Sequence, residues 1–490
     1  MSLIRQTAWA SAAAIALALS RFAIVAIVAR RSPAETFGQF AYGQWIVDLA
    51  FLVCSLGATG FIGRYLAEYR HDSKVVAAIV RRWRPFAIAL PWAAGAAALI
   101  GAGVSGLALS PFGMGMLAFW TIANGAWAMQ TAALNGMQRF DLIFFANMFA
   151  GCVMIAGALL VPVAEGDASA LFALMAVCAL IGTAIGLNQT FRLAAVAAGP
   201  IDGFRWRSAS VYAFNVWITA ILWNLVWSRG ELPIVRTHLG DAGVARYAAA
   251  LTLFGGAVQA VMMIASGAAP HLTRLWGEGS RTAATSMALA LMDVQILAAG
   301  AAALALIGLG PELMHLAFGV AYRQDAQVLS VLGIGLLAMA VSGQSHLLQL
   351  VTDARFTRNV ALLGLVVLLV AAVVLVTTLG ITGAAVARAG AMLSMAGATL
   401  LATQARWGRT AFSGRNFLIA LVAVAISTGV ATWLGEERPV WRAITSTVAL
   451  VALCAMIRNT GGRAVLTTVL ARIWRERATG ANAPGGTRRS

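Results

Sequence analysis

The chain has 490 residues, of which 60% are hydrophobic and 11% charged, and it carries a formal net charge of +17 at pH 7. Soluble domains average about 25% charged residues, so this composition excludes a soluble globular protein. It also argues against a nucleic-acid partner, because the basic residues sit in short clusters between apolar runs without the aromatic-interleaved groove that holds single strands.

Apolar runs long enough to cross a hydrocarbon core of about 30 Å follow one another along almost the whole chain. A spanning segment must satisfy its own backbone polar groups, which favours helices. The predicted spans are residues 8–29, 38–63, 85–109, 112–134, 142–163, 169–190, 208–235, 244–270, 284–309, 326–350, 358–379, 383–405, 416–434 and 441–458. The expected fold class is therefore an all-α polytopic membrane protein of about 14 transmembrane helices. The first run lacks a small-residue cleavage site followed by polar sequence, so it reads as a retained span and not as a signal peptide. After the second span, the stretch Tyr65–Arg84 sets Val75, Val76, Ile79 and Trp83 among basic residues, the pattern of an amphipathic helix at headgroup level. The segment Arg463–Arg477 repeats that pattern, and residues 478–490 are expected to be disordered. Cys54, Cys152, Cys178 and Cys454 all fall within predicted spans, in no metal-ligand spacing, and read as small packing residues.

Positive charge sets the orientation. With both termini cytoplasmic, the inner loops and tails hold 25 of the 35 Lys and Arg residues, the outer loops seven, and the spans Arg21, Arg229 and Arg388. This is the asymmetry of the positive-inside rule.

An internal repeat organises the chain. The segment around Phe40 resembles that around Tyr247, and Arg139-Phe140 aligns with Arg355-Phe356. Two pseudo-symmetric six-helix bundles are predicted, residues 1–200 and 201–406, followed by two appended transmembrane helices in 407–460 and a cytoplasmic amphipathic helix and tail in 461–490. Transporters commonly place substrate between such repeats.

The repeat puts Arg21 and Arg229 at the same depth of the first helix of each bundle. An Arg near mid-membrane costs about 2.5–3.5 kcal/mol on insertion scales, so it faces a partner or a wet cavity. One reading is a shared anion site, because the guanidinium fork suits phosphate. The other is internal pairing of Arg229 with Glu231 and of Arg21 with Asp48, and Asp48 can serve in both. Thr121, Asn124, Thr131 and Asn135 share one face of the fourth predicted span, and Ser342, Ser345, His346 and Gln349 recur on the tenth. Of these, Asn124, Thr131, His346 and Gln349 are candidates to bind sugar hydroxyls, although such groups equally make interhelical hydrogen bonds. Asp48 and Asp293 are candidates for ion coupling, and a bond to a polar neighbour is the plainer role for Asp293. Arg388 is expected to snorkel at the outer end of its helix, and Arg64 to do the same at an inner end or to meet an incoming phosphate.

No Walker A loop, HExxH, GxSxG or clustered metal-ligand spacing occurs. The expectation is a protein that is not an enzyme, with no cofactor and no metal.

The run from Ala29 to Tyr69, "ARRSPAETFGQFAYGQWIVDLAFLVCSLGATGFIGRYLAEY", resembles the opening of the polysaccharide transporter family, within the multidrug/oligosaccharidyl-lipid/polysaccharide exporter superfamily. So do "HLGDAGVARYAAALTLF…ASGAAPHLTRLW", "FGVAYRQDAQVLSVLGIG" and "LGITGAAVARAGAML", in the expected order. The resemblance implies two six-helix bundles in a V around a cationic cavity. It also implies a flippase that carries polyprenyl-diphosphate-linked oligosaccharide, a surface polysaccharide precursor, from the inner to the outer leaflet by alternating access. Membrane lipids and other polysaccharide-biosynthesis membrane proteins would be its partners, and the bacterial inner membrane its location. Members keep arginines of the first and seventh helices in the cavity, positions that Arg21 and Arg229 match. Many carry an Asp early in the seventh-helix region, where this chain instead reads "SRGELPIV" from Ser228. The alternatives are a cation-coupled drug antiporter of the multidrug-and-toxin-extrusion kind, which would favour intramembrane carboxylates, and a glycan polymerase or ligase, which would need a long outer loop.

Overall fold

The structure is a computed structural model that describes residues 3–69, 72–161, 167–194, 206–266, 280–352, 354–407, 414–434 and 439–458. The first seven helices are α1 (Leu3–Arg31), α2 (Ala34–Cys54), α3 (Ala58–Glu68), α4 (Ser73–Val104), α5 (Pro111–Gly136), α6 (Phe140–Leu160) and α7 (Ser169–Ala194). They are followed by α8 (Trp206–Asn224), a π-helical turn (Leu225–Arg229), α9 (Leu232–Ser266), α10 (Arg281–Phe318), a 3-10 turn (Val320–Asp325), α11 (Ala326–Thr352), α12 (Ala354–Trp407), α13 (Gly414–Leu434) and α14 (Pro439–Arg458).

Eight stretches among the described residues are long and apolar enough to cross a membrane. Two of them, Trp206–Met263 and Arg355–Ala402, run to 58 and 48 residues. At about 1.5 Å per residue the shorter would measure about 72 Å, far beyond one crossing. Both reverse at a glycine: Gly240 has φ 67° and Gly380 φ 62°. Positive φ is open to glycine and disfavoured for residues with a Cβ, so an apolar run that would otherwise continue as one helix becomes two limbs. A 61° bend likewise joins α2 and α3 into one broken span. With these divisions the described residues form fourteen helical segments, matching the predicted order.

In the N-terminal set, α1 packs on α6, α5 on α7 and α4, and α2 on α4. In the C-terminal set, α11 packs on α10 and α12, and α9 contacts all three. The appended pair lies on α10, with α13 also touching α11. Inside a bilayer helices are held by close packing more than by a hydrophobic drive. Phe40, Trp120 and Phe172 stack with centroids 5.7–6.4 Å apart at the centre of the N-terminal set.

The two sets touch at the start of the broken span and at its bend. At the start of α2, an ideal Cβ on Gly38 would lie 1.9 Å from the Asp241 carbonyl oxygen, so α2 meets α9 backbone to backbone. At the bend, the Trp217 indole donates to the carbonyls of Leu52 (3.0 Å) and Val53 (3.1 Å) in the last turn of α2, where helix ends leave acceptors to be satisfied from outside. Phe61 stacks on Trp206 beside it, with centroids 6.2 Å apart.

One expected element is not separate. The stretch Tyr65–Arg84 does not form an in-plane helix: α4 starts at Ser73, capped by the Asp72 carboxylate, and runs unbroken into the next span. Val76 and Ile79 are buried against Phe61, Leu66 and Ala213. Their apolar face is covered by the protein, which leaves it nothing to place in the headgroups. The segment Arg463–Arg477 lies outside the described residues.

Candidate functional site

Arg21 lies ten residues before the end of α1 at Arg31, and Arg229 eleven before the break at Gly240, so each stands about 15 Å from the C-terminal end of its helix. Arg229 reaches from the C-terminal set to α2 of the N-terminal set. Asp48 on α2 interacts electrostatically with Arg21 and with Arg229. Arg229 also donates to Gln44 Oε1 at 3.3 Å and approaches the Ala41 carbonyl at 3.5 Å. Asp48 and Arg229 are half-buried and Arg21 is exposed. Two guanidiniums share one carboxylate, so the cluster keeps a net positive charge in a medium of low dielectric, where such a charge acts strongly on an anion.

The alternative pairing of Arg229 with Glu231 is not what the structure contains. Glu231 turns the other way and pairs with Arg388, both side chains being 0% exposed. Arg388 Nε donates to Glu231 Oε1 and Nη2 to Oε2, each at 2.7 Å. Nη1 reaches the carbonyls of Val226 (3.2 Å) and Trp227 (3.1 Å), and Nη2 that of Ser228 (2.6 Å). The Tyr247 hydroxyl donates to Glu231 Oε1. Arg388 therefore does not snorkel. It is buried because all five of its N–H groups find acceptors inside the C-terminal set, which a lone Arg at a helix end lacks.

The acceptors exist because of local sequence. The π-turn is closed by the Gly230 amide on the Leu225 carbonyl at 2.9 Å. Continuing that i→i+5 pattern, the Ser228 carbonyl would need an N–H at position 233, which is proline. Arg388 supplies the missing donor. The Glu231–Arg388–Tyr247 network was not legible as a unit, although Pro233 two residues after Glu231 is the signal that the helix could not continue regularly.

The remaining predicted site residues fall elsewhere. On α5, the Thr121 hydroxyl bonds back to the Leu117 carbonyl at 2.8 Å. The Thr131 hydroxyl is buried without a hydrogen-bond partner, Asn124 is half-buried, and among the described residues neither bonds to the arginine cluster. The side chains of Asp293, His346 and Gln349 lie outside the described residues, although their helices are described. Arg64 pairs with Glu68 at 3.7 Å and lies over the Tyr212 ring at 4.2 Å, half-exposed at the inner end. No group of three or more His, Cys, Asp or Glu able to hold a metal occurs among the described residues.

Arg30 and Arg236 tie the sets together. Arg30, at the end of α1, donates to the carbonyls of Ala317 (3.0 Å), His315 (3.3 Å) and Leu316 at the end of α10. Arg236, near the break in α9, donates to the carbonyls of Ser105 (2.6 Å) and Gly106 (3.1 Å) past the end of α4, and to Asp241 at 2.6 Å. A cavity of about 410 Å³ opens beside Arg30, lined also by Glu312, His315, Leu316 and Arg323. None of these belongs to the arginine cluster.

Three solved structures share this architecture. An inward-facing multidrug resistance MATE family transporter of the MOP superfamily superposes with a TM-score of 0.63 at 13% identity, covering 84% of this chain and 96% of that one. The fold is the one these transporters share. The lipid II flippase MurJ in an inward closed conformation gives 0.64 at 10% identity, covering 92% and 99%. An outward-facing MATE family transporter gives 0.58 at 12% identity, covering 88% and 96%. No family model and no curated protein matches the sequence.

Proposed function

We propose that this chain is a flippase that moves a polyprenyl-diphosphate-linked oligosaccharide from the inner to the outer leaflet of a bacterial inner membrane by alternating access, with both termini cytoplasmic. The observation that carries the reading is the Arg21–Asp48–Arg229 cluster, assembled from both sets. Arg21 and Arg229 bind the diphosphate, and Asp48 acts as their counter-ion when the site is empty. Asn124, Thr131, His346 and Gln349 serve the sugars, and Asp293 is the remaining candidate for ion coupling.

Transport of this kind needs binding and rocking but no covalent chemistry, so the protein is not an enzyme. An inside-negative potential favours outward movement of the diphosphate by about 2.3 kcal/mol per charge per 100 mV. The polyprenyl tail stays in lipid at the seam between the sets, where Arg21 is exposed. A cation-coupled drug antiporter fits less well, because the deep cluster among the described residues has two guanidiniums to one carboxylate.

The test is deletion in the host followed by localisation of lipid-linked glycan. Build-up on the inner face is expected, and complementation should fail with Arg21→Ala or Arg229→Ala at normal membrane abundance. Full export from a host carrying both substitutions would refute the site.

A further inference from the structure

The Glu231–Arg388 pair lies inside the C-terminal set, yet it is built around the turn that carries Arg229. Successive α-helical residues are separated by about 100°, so residues two apart point to nearly opposite sides. Glu231 is held toward α12 by a two-pronged bond to Arg388. Arg229, two residues earlier, faces α2 and donates to Gln44. Three further donors of Arg388 hold the carbonyls of Val226, Trp227 and Ser228 in the π-turn itself. An i→i+5 turn places the residues after it on a different face from that of a continuous α-helix. The bonds that keep the turn wide therefore also set the direction of Arg229.

We propose that Arg388 and Glu231 are positioning residues: by filling the carbonyls of the Leu225–Arg229 turn, their pair aims Arg229 across the interface at Asp48 and the substrate diphosphate. The inference rests on the reading of Arg229 as part of the anion site. It assigns a transport role to two residues that touch no substrate. It also accounts for the use of Arg at 388: a lysine would keep the charge but offers one nitrogen with three donors, which cannot reach five acceptors in a plane.

The experiment is a double-mutant cycle on the full-length protein in detergent micelles, with farnesyl diphosphate as the binding probe and the thermal midpoint recorded for every variant. Arg388→Lys keeps the ion pair but loses the carbonyl contacts. It is expected to weaken farnesyl diphosphate binding by about tenfold in the native background and to add less than about twofold in the Arg229→Gln background, the signature of action through Arg229. A loss of equal size in both backgrounds, or none in either, overturns the positioning role and leaves the anion site standing. If Arg229→Gln itself leaves binding unchanged, both the site and the role assigned to the pair fall. Should Arg388→Lys not fold, the doubly neutral Glu231→Gln/Arg388→Gln variant, which leaves no lone buried charge, takes its place with the same two outcomes.

Discussion

Arg30 and Arg236 are reciprocal. Arg30, in the last turn of the first helix of the N-terminal set, binds the carbonyls at the end of α10, and Arg236, near the break in α9, binds the carbonyls of the turn that follows α4. In the predicted repeat α4 and α10 are the equivalent third spans, so the same latch occurs twice. A guanidinium over the last carbonyls of a helix satisfies orphan acceptors and meets the negative end of the helix dipole. Both latches join the N-terminal set to the C-terminal set at the same end of the helices, so separating the sets at that end would break them.

Removing both latches should therefore loosen the contact between the two sets at that end. Charge-assisted hydrogen bonds contribute about 1.5–3 kcal/mol, enough to shift a population balanced within a few kcal/mol. In the Arg30→Ala/Arg236→Ala protein, spin labels at the exposed Val104 and Thr237 are expected to show a longer distance component than in the parent. An unchanged distance distribution would count against the latches.

Gly38 gives the same closure a steric test. Its Cβ in Gly38→Ala would meet Asp241 backbone at 1.9 Å, whereas one at Gly103 has nothing within 4 Å. Overpacking of this kind costs about 1–3 kcal/mol. Gly38→Ala should lower the thermal midpoint or loosen the contact between the two sets at that end, while Gly103→Ala, in a helix, should be neutral or slightly stabilising. Equal behaviour of the two variants would refute the close approach.

The buried pair predicts an asymmetry between single and double substitution. Glu231→Leu strands the Arg388 guanidinium and should cost about 3–5 kcal/mol, while Glu231→Leu/Arg388→Leu leaves no lone charge and should cost less. Midpoints from thermal unfolding in detergent decide this, and a double variant no more stable than the single would mean that the pair is not a unit.

Asp167 predicts acid sensitivity at the start of α7. Burial alone would raise its carboxyl, but bonds from the Ser169 hydroxyl and amide and from the Ser110 hydroxyl hold it below the usual carboxylate range. A lowered folded pKa contributes stability above the unfolded value of about 3.9, and the contribution is lost as pH falls through the folded value. Hydrogen-exchange protection factors at the start of α7, corrected for the intrinsic pH dependence of exchange, should fall below about pH 4 in the parent protein. In Asp167→Asn they should already be low at neutral pH and show no such step.

The sequence by itself determined the helices and their order. Apolar run length decides whether a segment can span, and Gly240 and Gly380 sit where two runs were too long for one crossing. Arg21 and Arg229 were legible as a matched pair because an intramembrane Arg is rare and the repeat aligned them. Partner choice was not legible. Glu231 stands two residues from Arg229, and local spacing suggested that they pair, but side chains two apart on a helix face opposite ways. Arg388, 157 residues farther along, reached Glu231 because α12 packs against the π-turn. The apolar face of Val76 and Ile79 looked ready for lipid until Phe61 and Ala213 covered it. Which polar group meets which, and which apolar face meets protein and not lipid, depends on distances set by helix packing. The tertiary structure alone decided those.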